Sequence, residues 1–256
     1  MIQKPFIGAS SFFRGVRLLT EPGLKRFVAI PLAINVAVFT LLLWFALDQF
    51  GVLMAYLLPQ LPEWLSWLSW LLWAVFGIVA LVLIFFSFSI IANLIAAPFN
   101  GFLAEAVERH LTGRPANSGG GLTAALKAAP GAVIDELGKL LYFARWAVPM
   151  LLLFLIPGIN LIAPFAWMAF SAWMLAVEYS DYPLGNHGLK AREQRQRLGA
   201  HRPMALGFGS VVLVATMIPI VNFLVMPAAV AGATVLWVQE RQRSNITENT
   251  EVSKHG

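Results

Sequence analysis

Two cations, Lys25 and Arg26, follow the turn-forming pair Pro22-Gly23 at the mouth of the first long apolar run. Residues of these types suit capture of an anion better than the making or breaking of a bond. Proline is best tolerated at the first position of a helix, and Thr20 or Glu21 stands where an N-cap belongs. The pattern therefore predicts a helix beginning at Pro22, with the amides of Gly23, Leu24 and Lys25 lacking carbonyl partners and carrying about half a positive charge. Gly23 presents no side chain to a ligand approaching those amides, and the two cations add full charges beside them. Thr20, Glu21, Pro22, Gly23, Leu24, Lys25 and Arg26 together form a candidate site for a small dianion. The plainer alternative makes Lys25 and Arg26 cytoplasmic anchors flanking a membrane span.

A second set of polar residues interrupts the apolar runs: Asn35, Asn93, Asn100, Asn160 and Asn222. Asn93 and Asn100 are seven apart, near one helix face, and Glu105 with Arg109 extends that line at i, i+4. Amides in apolar surroundings seek partners or water, so they either hold helices together or line a path. A dehydrated anion needs donors, yet full charges along its whole route would trap it, and neutral amides suit that compromise. Signs of catalysis are missing. The chain has no Cys, its histidines (His110, His187, His201, His255) are scattered, and neither His-Glu-x-x-His nor Gly-x-Ser-x-Gly occurs. Asn117-Ser118-Gly119-Gly120-Gly121 lacks the Gly-Lys-Ser/Thr ending of a phosphate loop and reads as a link. Asp181-Tyr182-Pro183 reads as a turn. A non-enzyme without metal or cofactor is expected.

The elements that must position these residues are membrane helices. Hydrophobic residues make up 59% of the chain and charged ones 12%, with a mean hydropathy of +0.73, a composition that belongs to an integral membrane protein. The net charge of +5 does not signal nucleic acid, because the cations lie in loops between apolar runs with no recognition module around them. Residues 10–19 place Phe12, Phe13, Val16 and Leu19 opposite Arg14 and Arg17, as a short interfacial helix would. Phe27–Leu47 is uncharged and long enough to cross a roughly 30 Å core. It is not followed by a small-residue cleavage site and is expected to be retained. The uncharged stretch 64–104 would measure about 60 Å as a helix, so it must project or bend, with Pro98 the expected place. Trp64, Trp67, Trp70 and Trp73 at its start resemble an interfacial belt. Leu122, Leu126, Val133, Leu137, Leu140 and Leu141 recur at helical spacing, predicting an amphipathic cytoplasmic helix with a kink at Pro130.

An internal repeat follows. Ile156-Pro157-Gly158-Ile159-Asn160, then Pro164, is echoed by Ile218-Pro219-Ile220-Val221-Asn222, then Pro227. Each copy divides an uncharged stretch into arms of about 10 to 18 residues, most of them too short to span. The expected fold is an all-α integral membrane protein. Its single membrane domain, 1–242, has two long transmembrane helices at about 27–47 and 64–104, two re-entrant, hemi-penetrating hairpins at about 146–177 and 204–238, and amphipathic cytoplasmic helices. Residues 243–256 form a polar tail expected to be disordered. The segment 48–63 has acids but no Lys or Arg, whereas all 18 basic residues lie elsewhere, which puts both termini in the cytoplasm. So few crossings enclose little water, favouring a homo-oligomer.

Three motifs carry a resemblance: Thr20-Glu21-Pro22-Gly23-Leu24-Lys25-Arg26-Phe27, Ile95-Ala96-Ala97-Pro98-Phe99-Asn100-Gly101, and Ser171-Ala172-Trp173-Met174-Leu175-Ala176 through Asp181-Tyr182-Pro183. Over about residues 5–242 the chain resembles the CysZ family of bacterial sulfate permeases. The resemblance implies that sulfate is the anion, held at the Thr-Glu-Pro-Gly turn, and that a multi-pass protein of the bacterial inner membrane takes it up for cysteine biosynthesis. Family members often carry Arg where this chain has Lys25, which keeps the charge but loses a bidentate fork. The rival reading is a membrane-embedded scaffold or assembly factor whose buried amides only bind helices together.

Overall fold

A computed structural model describes the backbone of residues 3–57, 64, 67–113 and 121–255. The regular elements are α1 (Gln3–Leu18), α2 (Arg26–Leu57), α3 (Leu68–Thr112), α4 (Gly121–Leu152), α5 (Ala163–Asn186), α6 (Ala191–Ala200), α7 (Arg202–Thr216) and α8 (Pro219–His255), with single 3₁₀ turns at Leu153–Leu155 and Ile159–Leu161. No strand occurs among the described residues. The chain forms two compact units, residues 26–99 in one, and 1–25 with 100–256 in the other.

In the first unit α2 and the leading part of α3 run antiparallel. Phe50 stacks on Phe76 at 3.9 Å and meets Trp73 edge-on at 4.0 Å, while Phe39 meets Phe88 further along. Phe50, Met54 and Ile84 are buried in this seam, but Trp44, Leu47, Leu81 and Phe85 point outward. Apolar surface left exposed on such a scale finds its solvent in lipid. The apolar stretches Arg26–Tyr56 and Leu68–Phe88 are each long enough to cross a bilayer. α3 continues as helix through Pro98, the expected place of a bend, and projects on to Thr112. The link at 117–120 lies outside the described residues.

The second unit packs α1, α5, α7 and α8 around small residues. α8 is its centre: Val225, Ala228, Ala229, Val230, Ala231 and Ala233 are buried, against Phe208 and Val212 of α7 and Ala172 and Ala176 of α5. Backbones meet here so closely that a Cβ on Gly8 would collide with the Met204 carbonyl, one on Gly15 with that of Ala228, and one on Gly209 with that of Ala172. In lipid no hydrophobic force joins apolar helices, and such close approach supplies the packing energy instead. The face that α1 buries is not the apolar one expected from its sequence. Gly8, Ser11, Phe12 and Gly15, at i, i+3, i+4 and i+7, form its buried face, whereas Phe13 and Val16 are exposed. The apolar stripe is misleading because, apart from Phe12, it is the small residues that meet the core.

α4 and α5 form one hairpin, pinned by Lys139 Nζ donating to Asp181 Oδ2 at 2.7 Å and Trp173 Nε1 donating to the Tyr142 hydroxyl at 3.1 Å. α7 and α8 form the other. The sequence repeat is a structural one at its centre: Asn160 N–H donates to the Ile156 carbonyl at 3.0 Å and Asn222 N–H to that of Ile218 at 2.9 Å. Gly158 turns the first copy with φ +85°, whereas the second has Ile220 there and enters α8 at Pro219. The arms are longer than expected: Leu137–Leu155 and Val221–Arg243, at 19 and 23 residues, are long and apolar enough to span. Helix does not end at the first charge, and Lys139 and Arg145 are carried on α4. α4 also passes through Pro130 unbroken, and Asp181-Tyr182-Pro183 lies within α5 rather than in a turn. The tail differs from expectation too. α8 runs to His255, since no Gly or Pro interrupts the chain after Gly232 until Gly256. The protein is thus an all-α, multi-pass integral membrane protein.

Candidate functional site

The Thr20–Arg26 stretch is built differently from its sequence expectation. α1 ends at Leu18, and its last carbonyls are taken up by Thr20 N–H on Arg17 O at 3.1 Å and Glu21 N–H on Leu18 O at 3.0 Å. The Thr20 hydroxyl also donates to Arg17 O at 2.7 Å, so this residue closes α1 and does not cap the next helix. Leu24 N–H then donates to Glu21 O at 3.2 Å, with Gly23 at φ +90°. Proline second and a positive-φ glycine third are the signature of a type II turn. A helix cannot begin at Pro22, because Gly23 is left-handed; it begins at Arg26.

The consequence for anion capture is specific. The Leu24 amide is occupied by the turn, and the free amides of the helix start belong to Arg26 and the residues after it. Leu24, only 4% exposed, fixes the turn, while Lys25 and Arg26 are exposed. The Arg26 guanidinium lies 5.0 Å from the Phe27 ring centroid, which leaves its edge available for hydrogen bonds. A Cβ on Gly23 would meet nothing within 4 Å, so the approach to the turn is open.

The second group of candidates is not gathered into one cluster. Asn35 carries a buried Oδ1 without a hydrogen-bond partner in the first unit. In the second, Asn100 is 6% exposed, hydrogen-bonds Tyr182 and has a buried, unpartnered Nδ2. Glu105 and Arg109 pair with each other at 2.7 Å. Asn160 and Asn222 are exposed at the hairpin turns, and about 28 Å of α5 separates the first turn from Tyr182. The side chain of Asn93 lies outside the described residues.

Around Asn100 the fold assembles a polar network that sequence inspection misses. His187 contacts both Glu108 carboxylate oxygens at 2.8 and 3.0 Å, and Arg241 approaches the same carboxylate at 3.6 Å. Arg197 donates to Glu240 at 3.1 Å and lies 4.7 Å over Trp237. Gln194, buried, donates to Asp181 at 2.7 Å and to the Leu189 carbonyl at 2.8 Å. Burial raises the Tyr179 hydroxyl to about 12, helped by the Glu178 and Tyr182 charges, and raises that of Tyr182, so both stay neutral donors. The network neutralises its own charges and ties α3, α4, α5, α6 and α8 together at one end. Charged partners from segments far apart in sequence give no local signal beyond their position at the ends of apolar runs.

Comparison with known proteins decides the lineage. The family described as sulfate transporter CysZ/Etoposide-induced protein 2.4 matches residues 11–227. The chain belongs to that family. Similar proteins within it include a sulfate transporter CysZ of Pseudomonas fluorescens, 48% identical and covering 94% of this chain and 98% of its own length. Another of that name from Pseudomonas aeruginosa is 45% identical over 88% of this chain and 92% of its own. One from Pectobacterium atrosepticum is 41% identical over 94% and 87%. The CysZ-family match begins within α1 and ends within α8, so it includes the turn, both hairpin turns and the part of the polar network that α3 to α6 carry.

Proposed function

We propose that this protein moves sulfate across the bacterial inner membrane into the cytoplasm, where it feeds cysteine synthesis. The observation that carries the proposal is the near full-length similarity, at 41% identity or more, to proteins named sulfate transporters. The chemistry of the turn agrees with it. Lys25, Arg26 and the amides opening α2 offer positive charge and hydrogen-bond donors in one short stretch, held by Pro22-Gly23 and anchored by Leu24, with Thr20 and Glu21 closing α1 behind them. Asn35, Asn93, Asn100, Glu105, Arg109, Asn160 and Asn222 are candidates for the route beyond.

Both termini face the cytoplasm in this proposal, and the hairpin turns at Asn160 and Asn222 enter the bilayer. Their exposed backbones then need cover from other protein, which favours a homo-oligomer. A helix start stabilises a nearby anion by about 0.3 to 1 kcal/mol, and charge-assisted hydrogen bonds contribute on the order of 1.5 to 3 kcal/mol each. Lys25→Ala/Arg26→Ala should therefore weaken sulfate binding at least tenfold in calorimetric titration of purified protein and depress sulfate flux into proteoliposomes. An unchanged dissociation constant rejects the site. Absence of flux with the parent protein rejects transport itself and favours a membrane scaffold.

A further inference from the structure

α6 carries Arg192, Arg195 and Arg197, is flanked by Lys190 and Arg202, and has a single acid, Glu193. Its inward contacts are settled. Gln194 is buried and bonded, Arg197 is engaged by Glu240 and Trp237, and Glu193 accepts the Lys190 N–H at 3.0 Å. Lys190, Arg192 and Arg202 remain exposed. Arg195 stacks 4.5 Å over the Tyr142 ring and keeps a buried Nη1 with no hydrogen-bond partner.

The orientation of α6 gives these cations a common partner. α6 and α7 are bent by 105° about His201. α7 is uncharged from Met204 to Thr216 and leads into the apolar α8. With α7 as an arm entering the bilayer, a helix set across it lies along the surface, at the level of lipid phosphates. We propose that α6 is an in-plane helix that binds anionic phospholipid headgroups, with the exposed Lys190, Arg192 and Arg202 contacting the phosphodiester. The proposal rests on the membrane character of the chain and is independent of sulfate transport.

The test is native mass spectrometry of the detergent-purified full chain, titrated with phosphatidylglycerol or phosphatidylcholine. Each cation near an anionic surface contributes on the order of fivefold to association. The parent should retain phosphatidylglycerol in preference to phosphatidylcholine, Lys190→Gln/Arg192→Gln/Arg202→Gln should retain it at least tenfold more weakly, and the charge-keeping Lys190→Arg/Arg192→Lys/Arg202→Lys should match the parent. Arg192→Gln alone, at an exposed position, covers the case of a triple variant that does not fold, and is expected to lose about fivefold. Equal retention of the two lipids by the parent, or equal retention of phosphatidylglycerol by the parent and the Gln variants, overturns the proposal. Displacement of phosphatidylglycerol by millimolar inorganic phosphate overturns it as well, since the occupant would then be a free anion.

Discussion

Gly23 concentrates the conformational demand of the candidate anion turn in one residue. Its φ of +90° is open to glycine and tolerable to asparagine, but costs a β-branched side chain on the order of 1 to 2 kcal/mol. Gly23→Val is expected to weaken sulfate binding in titration calorimetry by several-fold through displacement of the turn, and Gly23→Asn to come much nearer the parent. Equal effects of the two would mean that side-chain bulk, not backbone geometry, matters there. Tyr179 makes a separate prediction at high pH. Its hydroxyl is raised from 10.0 to about 12 mainly by burial, so the folded state favours the neutral form. That preference stabilises fully below pH 10 and is lost between about 10 and 12, a change of about 2 to 3 kcal/mol for the residue. Tyr179→Phe should flatten the fall in melting temperature over that window; an unchanged alkaline slope would assign the sensitivity to another group.

The helices are held by close backbone approach more than by large side chains. Gly209 lies against the Ala172 carbonyl of α5, where even a methyl group must push two helices apart. Gly209→Leu is therefore expected to cost several kcal/mol, and to appear as loss of the monodisperse peak in size-exclusion chromatography or a large drop in melting temperature. The same substitution at Gly138, where a Cβ would meet nothing within 4 Å, is the control and should be tolerated. A folded, equally stable Gly209→Leu protein would show that α5 and α7 do not need this contact.

Charge distribution along the whole chain sets the topology. With no Lys or Arg between residues 48 and 63 and the basic residues on the other side of each long apolar stretch, that segment should face the periplasm. A cysteine placed at Gln60 should react with an impermeant maleimide added to intact cells, and one placed at Ser118 should react only after permeabilisation. Reversed accessibility, or equal labelling at both positions, would refute a single orientation. The proposed oligomer belongs to the same scale, because the turns at Asn160 and Asn222 are exposed among the described residues.

Composition and uninterrupted apolar length, by themselves, determined that this is a helical membrane protein and that two proline-asparagine segments repeat. These follow from local facts, since a run of uncharged residues must be satisfied along its own backbone in lipid. Lys25 and Arg26 were equally legible, being neighbours. The tertiary structure decided what depends on backbone geometry or distant partners. Gly23 takes a left-handed turn where Pro22 suggests a helix start, a choice between two local uses of proline that composition leaves open. α1 buries its glycines because α7 and α8 offer backbone for them to touch. His187 finds Glu108 across 79 residues, and Lys139 finds Asp181 across 42, pairings made only when α3, α4 and α5 converge.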